Sequence, residues 1–343
     1  MAELSSGKQM AKIRNFEKGF NATHLINVGS KLGIFESLNK NNDGLTVSDL
    51  ASTLGLHEPY VKIWCQTAYY FEILDFDDQG RFKLQPFLDE ILGDKTHFKN
   101  YLANISLTAD LLGAMYPDVP EYFRSGKTMD SFSSAEISEA VYETSKNIPL
   151  VFLFMIFPKL ESLKQALEQG VRLLDVGCGN GNLIIQLAQS FNNSAFVGVG
   201  IDGFGIEAAK KTIAKLGLEQ RVSVEHIGGE DMTYIEEFDM ATMVVTLHEI
   251  SPTVRERVVE KTYQALKNGG KLLVLDLVYP DKLEDFRDPS CDYGVLDQFY
   301  EACLGTVHLN RQDQEALLFK FGFKNIQRMP IGKGMFEFFT AEK

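Results

Sequence analysis

The sequence predicts an α/β fold, in which a parallel sheet with helices on both faces follows a mostly helical N-terminal region. From Val171 onward, strand-like apolar runs alternate with helix-like runs, which is typical of a parallel sheet. The first of these strands leads into a turn that is rich in glycine, at residues 177–181. A chain of 343 residues is also long for a single domain, so a second unit is expected.

The composition is that of a globular protein with sizeable cores. Hydrophobic residues make up 45% of the chain and charged residues 24%, and the net charge of −13 argues against nucleic acid as a partner. Residues 1–20 have no apolar signal core, and the longest apolar run, Leu150–Phe157, is too short for a membrane span. The four cysteines form no C-x-x-C pair, so we expect neither structural zinc nor disulfides, and a cytoplasmic location.

The first 95 residues have the element order of a winged helix. Residues 1–40 are predicted to be helical, and a short helix capped by Thr46 or Ser48 ends at Gly55. A second helix is predicted over residues 59–73. Two short strands then follow around a turn at residues 78–80.

This winged helix is not expected to bind DNA. Lys62 is the one basic side chain between His57 and Leu74, whereas duplex recognition needs several phosphate-neutralising residues. The same helix carries Trp64 and several other aromatic residues. We interpret residues 1–95 as a packing and dimerisation module.

Residues 96–170 are predicted to be a mostly helical linker that forms part of a small-molecule pocket. Helices are expected over 102–115 and over 134–145, the latter capped by Ser133 or Ser134. The aromatic run at residues 152–157 is either core packing or one wall of that pocket.

The remaining elements are predicted to form the sheet and its helices. Helices are expected at 183–188, 207–216, 254–266 and 312–321. Strands are expected at 171–176, 195–202, 222–226, 238–247 and 271–278, with a closing pair at 326–329 and 335–340.

The glycine turn after the first strand is typical of a nucleotide site. Glycines at such a turn allow close approach of a ligand, and the helix behind it presents unpaired N–H groups. Asn182 stands where the dinucleotide fingerprint requires its third glycine, so that fingerprint fails. The run is instead D-x-G-x-G-x-G from Asp175, whose carboxylate suits a cationic ligand better than a pyrophosphate. A purely structural strand–turn–helix is the alternative.

Polar side chains lie at or just beyond the ends of the five predicted parallel strands. Ligands of open α/β sheets bind at the carboxyl ends of the strands, so we expect these side chains to line one edge. They are Asp175, Asp202, Asp231, His248 and Asp276.

These residues resemble the motifs of class I S-adenosylmethionine (SAM)-dependent methyltransferases. Over essentially its whole length, the chain is similar to small-molecule O-methyltransferases of the caffeic acid, acetylserotonin and hydroxyneurosporene type. The resemblance implies a winged-helix dimerisation domain (1–95), a helical linker (96–170), a Rossmann-like SAM methyltransferase domain (171–343) and a homodimer. It rests on residues 175–181, Asp202, 229–232, 247–250, 269–273 and 315–323.

The resemblance also implies a site for SAM and its product S-adenosyl-L-homocysteine. The glycine loop would line the methionine part, Asp202 would bind the ribose hydroxyls, and Asp231 with Met232 would contact the adenine. The implied cofactor-binding residues are Asp175, Gly177, Gly179, Gly181, Asp202, Gly203, Phe204, Asp231, Met232 and Thr246.

The implied catalytic residues are His248, Glu249, Asp276 and His308. His248 matches the family's general base, and Glu249 or Asp276 would orient it. His308 stands where the family often has a second acid, and Val244 where some plant members have a lysine. Both residues depart from the pattern of phenol O-methylation.

Three functional hypotheses follow from this reading. The first is O-methylation of a small acceptor with His248 as the base. The second is metal-dependent C-methylation of an α-keto acid, with His248 and His308 as ligands of a divalent ion. The third is a non-catalytic SAM-binding protein. The sequence does not identify the acceptor.

Overall fold

The computed structural model describes residues 5–129 and 134–343. The chain forms two compact units, Met1–Pro117 and Asp118–Lys343. The functional division proposed at residues 95/96 and 170/171 stays a prediction.

The first unit consists of helices and one small hairpin. Its helices are α1 (Ser6–Lys31), α2 (Ile34–Lys40), α3 (Val47–Leu54), α4 (Glu58–Tyr70), α5 (Leu102–Ser106) and α6 (Gly113–Met115). Its strands are β1 (Leu74–Phe76) and β2 (Phe82–Leu84), and π-helical turns occupy Asp89–Gly93 and Leu107–Leu112.

The predicted helix–turn–helix and wing are present in this unit. The Thr46 hydroxyl caps α3 by accepting from the Asp49 N–H at 3.1 Å, and Gly55 ends the helix in the left-handed conformation. Strands β1 and β2 pair antiparallel. The predicted helix over residues 1–40 is divided in the described part of this range, because Gly33 adopts φ 72° and separates α1 from α2.

The second unit begins with helices α7 (Val119–Ser125), α8 (Ala135–Ser145), α9 (Ile148–Val151) and α10 (Glu161–Gln169). The Ser134 hydroxyl caps α8 by accepting from the Ile137 N–H at 3.3 Å, whereas Ser133, the alternative cap, lies outside the described residues. In the aromatic run, Phe152 and Phe157 are buried in the core of this unit, whereas Phe154 is exposed.

One helical run in the second unit meets the length and composition criteria for a membrane span. It covers Ala135–Lys159, with a mean hydropathy of 1.2 in its most apolar window. A single run of this kind is weak evidence, since core helices of soluble proteins pass the same test.

A seven-stranded sheet forms the centre of the second unit, in the order β5-β4-β3-β6-β7-β9-β8. Strands β3 to β7 are parallel, and β9 runs antiparallel between β7 and β8. The strands are β3 (Arg172–Val176), β4 (Ala195–Gly200), β5 (Val222–His226), β6 (Phe238–Val244), β7 (Leu266–Leu277), β8 (Lys324–Ile331) and β9 (Phe336–Glu342). The helices are α11 (Asn182–Ser190), α12 (Gly203–Leu216), α13 (Pro252–Ala265), α14 (Asp292–Glu301) and α15 (Arg311–Lys320).

Helices cover both faces of this sheet, as predicted. Successive strand residues point to opposite faces, so Leu173 belongs to one buried cluster and Leu174 to the other. Residues of α11 and α12 pack into the first cluster, and residues of α13 and α15 into the second. The predicted α/β fold is therefore confirmed.

The strand order fixes where a ligand is expected to bind. The connections reverse direction between β3 and β6, and in open α/β sheets the ligand crevice lies at such a switch point, outside the carboxyl ends of the strands. The five polar residues predicted at the strand ends lie on or shortly after the parallel strands β3 to β7.

Candidate functional site

The glycine loop after β3 is held close to the neighbouring strands. Gly177, Gly179 and Gly181 all have positive φ (79°, 51° and 73°). A Cβ atom on Gly177 would lie 2.3 Å from Cγ2 of Thr246, which follows β6, so the loop and this segment are in direct contact. The N–H groups of Gly177 and Cys178 donate to the Val199 carbonyl on β4, at 2.8 and 3.0 Å.

Asp175, the acid that precedes this loop, is buried. Burial raises its pKa to about 7, although the hydroxyl of Thr242 opposes the shift by donating to Oδ1 at 2.7 Å. Because burial disfavours the charged carboxylate, a cationic ligand nearby would favour its ionised form.

Asp202 is preorganised by two hydrogen bonds. Its Oδ1 accepts from the Phe204 N–H at 3.0 Å and caps α12, and its Oδ2 accepts from the Ser138 hydroxyl on α8 at 2.5 Å. Gly203 opens α12, and a Cβ there would lie 3.0 Å from the His226 ring, while Phe204 is half exposed. No sequence pattern indicates Ser138 as a partner of Asp202, because the two residues lie 64 positions apart.

Asp231 and Met232 follow β5 in a short turn but differ in environment. Met232 is fully buried in the core. The Asp231 side chain is 66% exposed, with Nη2 of Arg257 at 3.4 Å from Oδ1. Asp231 therefore lies at the surface, whereas the side chain of Met232 belongs to the core.

A buried imidazole–carboxylate pair lies at the ends of β6 and β7. His248 and Asp276 are each 3% exposed. Nδ1 of His248 forms a short hydrogen bond with Oδ1 of Asp276, and the His248 N–H donates to Oδ2 at 3.2 Å. Of the two acids expected to orient His248, Asp276 is thus the one that binds its ring.

The second histidine lies against the first. The rings of His248 and His308 stack with their centroids 4.3 Å apart and their planes 11° apart. Oδ2 of Asp297 lies 3.1 Å from Nε2 of His308 and 3.7 Å from Nε2 of His248. Tyr279 stacks on the other side of His308, with a centroid separation of 5.3 Å.

More carboxylates surround this pair. His248, Glu249 and Glu301 each offer one atom that could bind a metal, and these three atoms lie within 4.8 Å of one another. Glu301 is buried, and its carboxylate accepts a hydrogen bond from the Thr306 hydroxyl. Glu249 is exposed as a residue, so it borders the cluster rather than filling its centre.

Sequence reasoning missed Asp297 and Glu301 because it predicted no helix over residues 292–301. Helix α14 places the two acids one turn apart, on the side that faces the histidines. A signal was available in the sequence, because two acids four residues apart, such as Asp297 and Glu301, lie on one face of a helix. The more prominent apolar side chains of this helix, Leu296 and Phe299, are exposed instead of forming a core stripe.

The charge state of the His248–Asp276 pair follows from its burial and from the contact between the two side chains. Burial alone lowers the pKa of His248, but the adjacent Asp276 carboxylate outweighs burial and raises the pKa to about 10. For Asp276, burial raises the pKa, but the His248 ring outweighs this effect and holds the pKa below its ordinary value. The pair is therefore an imidazolium and a carboxylate at neutral pH.

Comparison with known proteins agrees with this fold. The sequence profile of a methyltransferase domain matches residues 173–270, which run from β3 into β7. An uncharacterised methyltransferase of Synechocystis sp. is 32% identical over 124 residues, which cover 35% of this chain and 53% of that protein. The chain spans about half the length of the curated relatives it matches.

Solved structures match over nearly the whole chain. Human N-acetylserotonin methyltransferase in complex with SAM has a TM-score of 0.75 at 15% identity, and the match covers 100% of this chain and 99% of that one. An O-methyltransferase family protein from Burkholderia thailandensis has a TM-score of 0.76 at 15% identity, with 99% of both chains covered. The predicted methyltransferase fold with its N-terminal helical domain is therefore confirmed.

The raised pKa of His248 predicts how stability depends on pH. Because the folded pKa of about 10 exceeds the ordinary 6.5, the stabilisation is complete below about pH 6.5 and is lost as the pH rises towards 10. We expect the free energy of unfolding to fall by up to about 1.4 kcal/mol per pH unit in this window. Urea unfolding at pH 7, 8 and 9 should show this slope in the wild type and a smaller one in Asp276→Asn. Equal slopes in the two proteins would contradict the assignment.

Proposed function

We propose that this protein transfers the methyl group of SAM to a hydroxyl group of a small molecule and releases S-adenosyl-L-homocysteine. One observation carries the proposal: the glycine loop and the buried His248–Asp276 pair lie at the carboxyl ends of neighbouring parallel strands. The methyltransferase domain at residues 173–270 supports the same reaction class. The four buried free cysteines favour a reducing, cytoplasmic location.

In this proposal the cofactor lies along the carboxyl ends of β3, β4 and β5. The glycine loop and Thr246 line the methionine part, with Asp175 as the nearby acid. Asp202 takes the ribose hydroxyls beside Gly203 and Phe204, and the exposed Asp231 borders the adenine, whereas Met232 is buried in the core and does not contact it. Support for the ribose contact is that Asp202 already accepts two hydrogen bonds in a fixed orientation.

His248 would accept the proton of the acceptor hydroxyl. Asp276 occupies Nδ1, so Nε2 is the nitrogen that takes part. A pKa of about 10 is close to that of a phenol, so proton transfer within the complex would be nearly balanced. Alignment of the oxygen with the methyl group could then contribute about 7–11 kcal/mol.

The first test measures release of S-adenosyl-L-homocysteine with a panel of hydroxylated aromatic acceptors at saturating SAM. Because the pKa of His248 is raised to about 10, most of the ring is protonated at pH 7, so kcat/KM should rise with pH towards that value. His248→Ala should lose about 10²–10⁴-fold in turnover, together with this pH dependence, because both come from the base. His97→Gln, in the first unit, is the control.

Two outcomes would contradict this mechanism. Unchanged turnover in His248→Ala would remove the base. Binding of S-adenosyl-L-homocysteine by calorimetry, without turnover on any acceptor, would favour a non-catalytic SAM-binding protein.

A second candidate function is metal-dependent C-methylation of an α-keto acid, and one specific observation favours it. Ligand atoms of His248, His308 and Asp297 lie within 4.8 Å of one another. Two imidazoles and one carboxylate suit a divalent ion such as Fe²⁺ with open positions. Asp276 on Nδ1 of His248 matches the carboxylate that orients a metal-bound histidine. A bound ion would polarise the keto acid and favour its enol form.

Elemental analysis of protein purified without chelators tests this candidate. We expect about one iron or zinc per chain, with loss of the metal in His308→Ala and Asp297→Ala because each removes one of three ligands. His97→Gln should keep it. Absence of metal after purification and after addition of Fe²⁺ or Zn²⁺ would exclude this candidate.

We also propose that the protein is a homodimer through its N-terminal unit. Helix α1 exposes an apolar stripe at helical spacing, and α4 exposes further large apolar side chains. The stripe consists of Met10, Ile13, Phe16 and Phe20, which are 53–65% exposed. A contiguous apolar surface of this kind is typical of an interface between subunits.

Light scattering at micromolar concentration tests the homodimer. The wild type should have twice the chain mass of 38.5 kDa. The double variant Phe16→Glu/Phe20→Glu should shift towards the single-chain mass, because it places charge in the apolar stripe. Asn15→Glu, which adds a charge on another face of α1, should not. A wild type of single-chain mass would contradict the proposal.

A further inference from the structure

Arg255 joins the two chain segments that carry the histidines. Its Nη2 donates to the carbonyl of His248 at 3.0 Å and to the carbonyl of Val307 at 2.7 Å. Its Nε donates to the carbonyl of Ile250 at 3.0 Å. One side chain therefore holds the turn after β6 and the segment that precedes His308.

The position of Arg255 is unfavourable without such a role. It is only 5% exposed, and taking a guanidinium out of water is costly. It also lies in the first turn of α13, where the helix dipole disfavours a cation. Burial lowers its pKa, and the negative charge of Asp276 opposes that shift. The charge of Arg255 thus partly balances the acid that holds His248.

The hydrogen bonds of Arg255 depend on the shape of its side chain. A guanidinium presents five donors in a rigid planar fork, whereas the ammonium of lysine is a compact charge on a flexible stem. The three carbonyls come from two separate segments, and the fork reaches all of them at once. Lysine would keep the charge but could not reproduce this geometry.

The ring geometry of the histidine pair depends on these two backbones. The 4.3 Å stack and the shared contact with Asp297 require that the two segments keep a fixed separation. Asp276 holds His248 from one side, and the Gln298 side chain accepts from the His308 N–H on the other. Arg255 is the side chain that hydrogen-bonds the carbonyls of both segments.

We propose that Arg255 is a positioning residue that sets the spacing of the His248 and His308 rings. The functional part of this inference rests on the proposed function, because it assumes that the histidine pair takes part in methyl transfer. The structural part does not depend on the reaction, so the two parts can be tested separately.

The experiment measures the nuclear Overhauser contact between the two rings in protein labelled with isotopic histidine, which has six such residues. Arg255→Gln should lose the contact and about 10²-fold in turnover, because small displacements of reacting groups have effects of this size. Its affinity for S-adenosyl-L-homocysteine should stay unchanged. Arg255→Lys should not restore the contact.

Arg221 provides the matched control. It also binds three carbonyls, those of Ala188, Phe191 and Ser194, at 2.8–3.2 Å. It precedes β5, at the opposite end of the parallel strands from the histidines. Arg221→Gln should lower stability in urea but keep the ring contact and turnover.

The outcomes separate the two proposals. A ring contact that persists in Arg255→Gln would overturn the positioning role. A ring contact that is fully present in Arg255→Lys would overturn it too, because the charge alone would then be sufficient. A lost contact with unchanged turnover would uphold the positioning role and contradict the proposed use of the histidine pair. If Arg255→Gln does not fold, Arg255→Lys keeps the charge and most of the buried chain and decides the question.

Discussion

The contact between Asp276 and His248 is the interaction on which the rest of the site depends. A carboxylate that is 3% exposed must be compensated, and Asp276 accepts from the His248 ring, the His248 N–H and the Leu277 N–H. The contact exists because β6 and β7 are parallel neighbours in a register that pairs Val244 with Leu275. Val245 then adopts φ 52°, an unusual conformation for a β-branched residue, as the chain turns towards His248. Sheet register and local strain together bring the imidazole to the acid.

The carboxylates that surround the two imidazoles limit the chemistry that can take place at this end of the parallel strands. Burial raises the pKa of Glu301, although the hydrogen bond from Thr306 opposes the shift. Asp297 lies between the two Nε2 atoms. The negative charge of such a site is balanced by protons on the imidazoles, by protons on the buried carboxyls themselves, or by a metal ion. The two candidate functions share His248 and the Asp276 carboxylate that orients it, and they differ in whether His248 takes a proton from the acceptor or, with His308 and Asp297, holds a metal ion.

The sequence predicted the sheet, the winged helix and the strand-end residues because each has a local signal. Asp175, Asp202 and His248 follow apolar runs that can be recognised one at a time, and parallel strands must end at the same edge. Asp297 follows no apolar run and has no such local signal. A helix is usually recognised by the apolar stripe on its buried face, but α14 exposes Leu296 and buries Gly294 and Glu301 instead. Arg255 and Ser138 were missed because their partners lie far along the chain or are main-chain carbonyls, which no side-chain pattern records.

The place of β9 in the sheet has a consequence for synthesis on the ribosome. This strand pairs with β7 along its whole length, with Asp276 opposite Glu337, yet it is made about 60 residues later. Until residues 336–342 emerge, β7 is an edge strand that displays unpaired amides beside apolar side chains such as Leu273 and Leu275. The nascent second unit therefore passes through a stage in which β7, the strand that bears Asp276, is open to pairing with a wrong strand.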